Sequence, residues 1–306
     1  MNIKKRVILA LVALVSCTTL AAQPWEPGVA PTRGNANVID EGSDVQARLR
    51  ATIEKSLGKS WTVSWSEQVR TMDNFRKLDK IVSAVGVEYK PWEFLKFGID
   101  YNLVNERTFD TALVQQEVPV LNNGEPLMGY DGQPVTELKD VEVPTKGWAT
   151  RHRTNIDVTG MYRIGRVKLS LRERLRVQFR TDSINKYEKT NPTLSLRSRL
   201  KGAYDIRNSS WEPYAFVELY TMLDQPKPVE NYKEFPLDGE SYLGRVRLAV
   251  GTEVKLHNHH RLDIHYMVHF NRTYNARYKG GKGDLKEWSL EKMCNHVIGI
   301  DYKFKL

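Results

Sequence analysis

Along the last ten residues of the chain apolar and polar positions alternate. Ile298, Ile300, Tyr302, Phe304 and Leu306 share one side, and Val297, Gly299, Asp301, Lys303 and Lys305 share the other. Strand side chains point to opposite faces with period two, so this segment has one wholly apolar face and one largely polar face, as a wall between lipid and water requires. The same period runs from Trp61 onward and predicts ten strands, at roughly 60–72, 80–90, 94–104, 150–163, 166–180, 193–207, 211–223, 241–256, 261–273 and 293–306. Most exceed the roughly 9–11 residues that a tilted strand needs to cross the hydrocarbon layer.

The connections carry a second regularity. Links after strands two, four, six and eight are short, and those after three, five, seven and nine are long, the largest running from about Asn105 to Gly147. Short turns on the periplasmic side and long loops outside are the asymmetry of bacterial barrels. Only the first outer link, near Asp73 to Asp79, is short where length is expected. The fold expected is an all-β, antiparallel, up-and-down transmembrane barrel of about ten strands.

Facing follows from charge. On the fifth strand Lys168, Arg172, Arg174 and Arg176 share one side, opposite Val167, Leu169, Leu171, Leu175 and Val177. Turning that basic side to lipid costs roughly 2–4 kcal/mol for each midplane arginine, more than a barrel's stability absorbs across the set. The arginines therefore face inward. Strand six repeats the arrangement with Arg197, Arg199 and Lys201, and strand eight with Arg245 and Arg247. Tyr89, Trp92, Tyr101, Tyr162, Tyr204, Trp211 and Tyr302 fall in or near strand ends, where a ring lies at headgroup level. Glu67 and Glu173 break the apolar faces of strands one and five, which implies either a bulge or rim position, or a patch covered by another protein.

Ahead of the first strand the pattern differs. Lys4, Lys5 and Arg6 precede an apolar run from Val7 to Val15 and then small residues, the three-part layout of a secretory signal, with cleavage expected after Ala21. Leu14 to Cys17 also fit a lipobox, which would acylate Cys17. The expected division is a signal over 1–21, a flexible leader with a short periplasmic helix over 22–58, and the barrel over 59–306. Helical spacing of Val45, Leu49, Ile53 and Leu57, with Ser43 as N-cap and Gln46 three residues on, predicts that amphipathic helix.

Composition alters the picture in two places. Loss of the signal removes three cations and no acid from a formal charge of +9, so the remainder stays basic. The mean hydropathy of −0.50 would suggest a soluble chain, but alternation hides a lipid-facing surface from that average. With Cys17 gone, only Cys294 remains, which permits neither an internal disulfide nor a cysteine-built zinc site.

The chain carries a tryptophan-bearing first strand (Trp61, Val63, Trp65, then Arg70), the repeated alternations LSLRERLRV and LSLRSRLKG, and a closing HVIGIDYKF. On these features it resembles the Gram-negative barrel family catalogued as domain of unknown function 2490, over about Trp61 to Leu306. The resemblance implies an outer-membrane barrel without assigned activity and brings no catalytic residue. The final residue, Leu306, departs from the wider barrel pattern of a terminal aromatic.

The strongest candidate chemistry is the basic lumen. Two like charges about 4 Å apart repel by roughly 4 kcal/mol at an effective dielectric of about 20, so rows of arginine need partners. Glu88, Asp100, Asp157, Asp205, Glu218, Glu253, Asp263 and Asp301 share the inward faces and are expected to form a salt-bridged filling. The alternative is a narrow passage favouring anions. Asp263, His265 and His269 on strand nine could serve acid–base chemistry, but no nucleophile or carboxylate pair is identifiable beside them, and structural hydrogen bonding is the expected role. His257, His259 and His260 cluster in a turn, and Gly280 to Asp284 lacks the ending of a phosphate loop. No metal or cofactor is expected. The function expected is non-enzymatic: a structural, assembly or surface-interaction barrel in the cell outer membrane, with a small anion-favouring pore and an outer-membrane hydrolase as alternatives. Expected partners are outer-membrane lipid, the barrel-insertion machinery and a protein at the apolar-rich loop 105–147, not nucleic acid.

Overall fold

The computed structural model describes residues 38–306 apart from 109–110, 123–124, 145–146, 182–189, 224–240, 258 and 280–283. The expected signal and most of the expected leader lie outside the described residues. Eleven strands form the wall: β1 (Val38–Leu57), β2 (Trp61–Met72), β3 (Lys77–Trp92), β4 (Leu95–Thr108), β9 (Gly147–Ile164), β10 (Val167–Arg180), β11 (Thr193–Tyr204), β12 (Trp211–Leu223), β13 (Tyr242–His257), β14 (His260–Lys279) and β15 (Asp284–Lys305). They close in the order β1-β15-β14-β13-β12-β11-β10-β9-β4-β3-β2. Ten of them overlap the ten segments expected from alternation.

The eleventh corrects the sequence reading. The segment expected as a periplasmic helix is β1, antiparallel to β2 and parallel to β15. An i, i+4 spacing is also a multiple of two, so Val45, Leu49, Ile53 and Leu57 satisfy both periods. Ala47, Ala51 and Lys55 complete the outward file, the alanines too weakly apolar to reveal it and Lys55 polar, and Arg48, Arg50, Thr52 and Glu54 form the inward one. The count then dictates the seam. Meandering strands reverse direction at each step, so an odd number brings the first and last strands together pointing the same way. The barrel is therefore mixed rather than purely antiparallel.

The connections at 58–60, 93–94, 165–166 and 205–210 lie at one rim together with Leu306, and the turn at 73–76 lies at the other together with Val38. The short exception at 73–76 winds through three successive left-handed residues, Asp73, Asn74 and Phe75. It is tied to β1 by Asn74 N–H donating to Asp44 at 2.9 Å. A separate compact unit, Glu106–Ala149, contains a two-stranded sheet of β5 (Thr111–Pro119) with β8 (Thr136–Pro144). Within it β6 (Leu121–Asn122) pairs with β7 (Glu125–Pro126).

The wall is apolar outside and charged inside. Phe179, Leu200, Leu248 and Val250 are exposed, whereas Arg197, Arg247 and Glu218 are buried. A lipocalin-like barrel, with the leucines within and the arginines in solvent, is the reverse of this arrangement. Glu67 and Glu173 occupy neither a bulge nor a rim, since each sits six residues into an unbroken ladder. Each meets a serine directly across: Ser83 Oγ donates to Glu67 and Ser198 Oγ to Glu173, both at 2.7 Å. Tyr101 lies inside β4 rather than at its end, bonded to His152 on the neighbouring strand at 2.6 Å.

Candidate functional site

Because registers are unbroken over the lower lumen, residues of like chemistry align around the wall in rows. Nearest the short-turn rim lies a basic row, Lys255, Arg261 and Lys303 on β13, β14 and β15. Directly above it runs an acidic row, Glu212, Glu253, Asp263 and Asp301, which meets Arg50 on β1. Like charges opposite one another destabilise a sheet, so each row depends on the other and on cations from across the lumen. Arg261 bonds Glu253 at 3.0 Å, Lys168 bonds Glu212, and Arg48 bonds Asp301 at 2.8 Å. Asp205, just past β11, bridges Arg163 at 2.8 Å and Lys168 at 3.7 Å.

The next row is Tyr214, Gly251, His265, Gly299 and Arg48. His265 lies over Gly299, where a Cβ would approach its Nε2 to 1.9 Å, so the glycine makes room for the ring. Arg48 stands 2.8 Å from His265 Nε2, and a guanidinium only donates, so Nε2 accepts and Nδ1–H donates to Asp263 at 2.8 Å. Tyr214 OH also donates to Asp263 at 2.7 Å. The ring's lone pair is thus occupied by Arg48.

Above this lies an apolar layer of Phe216, Ala249, Met267 and Val297, the last three almost fully buried. Over it Glu218, with no exposure, accepts from Arg172 at 3.2 Å, Arg199 at 3.2 Å and Arg247 at 2.8 Å. His269, also buried, lies beside Arg247 in the same row. In the row above, Arg197 stacks 4.2 Å from the Tyr220 ring, with Arg245 and Arg247 at 5.1 and 5.0 Å. Arg199 and Lys201 cover Phe216 and Tyr214 at 4.4 and 3.7 Å. Arg174 is shared by Asp157 and Asp100, and Arg176 donates to Asn155 at 3.0 Å.

The structure brings the anticipated arginines and acids onto one inner surface. Glu218, one of the acids expected on the inward faces, is shared by three arginines; the groups the sequence reading did not single out are the aromatic faces of β12, and Arg48 and Arg50. Alternation along β12 carried the signal for Tyr214, Phe216, Glu218 and Tyr220. The β1 arginines were hidden by the helical reading. Among the described residues no group of three or more His, Cys, Asp or Glu side chains could hold a metal ion. His259 and His260 instead bond the Lys305 carbonyl and the Tyr302 hydroxyl, at 2.7 and 2.6 Å.

The filling is lopsided. Large side chains come from β10 to β15, whereas β2 to β4 present Ser64, Ser66, Ala84, Gly86 and Gly98. Beneath the apolar layer this leaves a cavity of about 320 Å³, which includes Arg50, Arg172, Arg174, Asp100, Asp263 and Asp301 in its lining. A second, of about 340 Å³, lies at the short-turn rim and shares Glu54, Glu88, Arg261 and Lys303 with the first.

Among solved structures, the beta domain of the Bordetella autotransporter BrkA aligns at 11% identity, covering 71% of this chain and 79% of that one, with a TM-score of 0.37. Outer-membrane expressed OmpT of Vibrio cholerae aligns at 15% identity over 75% of this chain and 57% of that one, with a TM-score of 0.31. No curated protein matches the chain. A family profile described as a protein of unknown function, DUF2490, matches residues 45–279, and the chain belongs to that family.

Proposed function

We propose that the protein is an integral outer-membrane barrel with a non-enzymatic, structural or surface-interaction role, whose lumen is closed at mid-height. The observation that carries this reading is the fully buried Glu218, gripped by three arginines above the Met267–Val297 layer. The apolar outer face supports lipid as its surroundings, because exposed apolar surface on this scale is foreign to soluble proteins. Occupation of both His265 nitrogens supports a structural rather than a catalytic histidine. In the unit Glu106–Ala149, exposed Leu121, Met128 and Tyr130 are the surface offered to a protein partner.

The arginine excess around Glu218 favours a second reading, a narrow anion-favouring pore. Purified protein in a planar bilayer under a salt gradient separates the two. A closed lumen gives no unitary conductance, whereas steady steps with anion selectivity replace the first reading by the second.

A further inference from the structure

At the short-turn rim the lumen wall carries more positive charge than its acids use. Five cations line the outer cavity, Lys90, Lys96, Arg261, Lys303 and Lys305, against two acids, Glu54 and Glu88. Three of the cations are engaged: Lys96 with Glu88 and Lys303 with Glu54, both at 2.8 Å, and Arg261 with Glu253 at 3.0 Å. Lys90 and Lys305 have no carboxylate within ion-pair distance among the described residues. Their backbones are fixed, Lys90 N–H donating to Ser60 and Lys305 N–H to His259, each at 2.8 Å. Both side chains are exposed and line the cavity, so two ammonium groups stand without a counter-charge at a space of small-ligand size.

We propose that this mouth is a binding site for a soluble phosphate-bearing ligand, with Lys90 and Lys305 as its principal contacts. Lysine meets phosphate as a compact point charge with three donors, whereas planar carboxylate recognition favours the forked guanidinium. The one arginine here already holds Glu253. The site rests on the inward orientation of the charged faces but not on closure of the lumen, so it deepens the barrel reading without depending on a sealed centre.

The test is calorimetric titration of inorganic pyrophosphate into the full-length protein in detergent at constant ionic strength, with Lys90→Met, Lys305→Met and Lys59→Met. Lys59 lies in an exposed turn on the same rim, outside the cavity lining. Saturable binding that weakens about tenfold with each of the first two changes, and is untouched by Lys59→Met, is expected from the loss of one charge-assisted hydrogen bond. Each variant is first shown to keep its heat-dependent gel mobility, so that misfolding is not read as lost binding. Equal weakening by Lys59→Met means diffuse attraction to a basic rim and overturns the site. So does the absence of saturable binding, or binding only to vesicles containing phosphatidylglycerol, which assigns the charge to lipid headgroups. A barrel that conducts yet binds pyrophosphate through these lysines refutes closure and leaves the site standing.

Discussion

At the residue scale, the lumen is specified by what is missing as much as by what is present. Gly299 lets His265 lie flat against β15 and reach Arg48 and Asp263 together. Gly299→Ala should displace the ring and lower stability by about 1–3 kcal/mol, the usual cost of overpacking, measured as an earlier thermal loss of the compact gel form in detergent. Glu218→Gln should cost more, about 3–5 kcal/mol, because three buried guanidinium groups lose their shared counter-charge. A drop smaller than that of Gly299→Ala would contradict the hub. Outside, Ser198→Ala strands the buried Glu173 carboxyl and should destabilise by about 1–3 kcal/mol, whereas Glu173→Gln, which still accepts from Ser198, should be nearly silent. The inward arginine files were legible because lipid does not tolerate them. Which of the inward acids each one meets was not. Arg172 on β10 reaches past β11 to Glu218 on β12, and that choice depends on registers set by the whole ring rather than on any one strand.

At the element scale, β1 is where local pattern misleads. Its apolar residues recur every four positions, the residues between them on that face are two near-neutral alanines and Lys55, and only pairing on both sides distinguishes strand from helix. Leu49 and Ile300 are direct partners across the parallel seam. Cysteines at these two positions, with Cys294→Ser, should oxidise to a disulfide that prevents the heated barrel from opening fully on a gel, since adjacent strands lie about 5 Å apart, within disulfide reach. A helix packed beneath the barrel would leave the pair uncoupled. The other ten elements were readable because each keeps a period of two with a mainly polar file opposite a mainly apolar one, Glu67 and Glu173 being the exceptions named above. The shortness of the link near 73–76 was legible too, but not its cause, an anchor on Asp44 of a strand the pattern concealed.

At the scale of the whole molecule, the outer surface ranks its tryptophans by depth. Trp61 and Trp211 begin strands at the short-turn rim, and Trp65 lies four residues further along β2, all three exposed. In bilayers of lipids brominated at defined chain positions, fluorescence of a variant retaining only Trp65 should be quenched most by bromines near the chain centre. Variants retaining only Trp61 or Trp211 should respond most to bromines near the headgroup. Uniform quenching would argue against a spanning orientation. The chain carried the expectation of a salt-bridged filling but not where that filling sits, because a filled and an open lumen share the same alternation. The difference lies in Gly86, Gly98, Ser64 and Ser66 thinning one side while β10 to β15 crowd the other.

The odd strand count has a practical corollary. Since the first and last strands run side by side in the same direction, Val38 and Leu306 leave the cylinder from opposite mouths. An epitope spliced in just before Val38 should be reached by antibody on intact cells, together with one spliced between β4 and β9. The same epitope fused behind Leu306 should stay hidden until the envelope is breached.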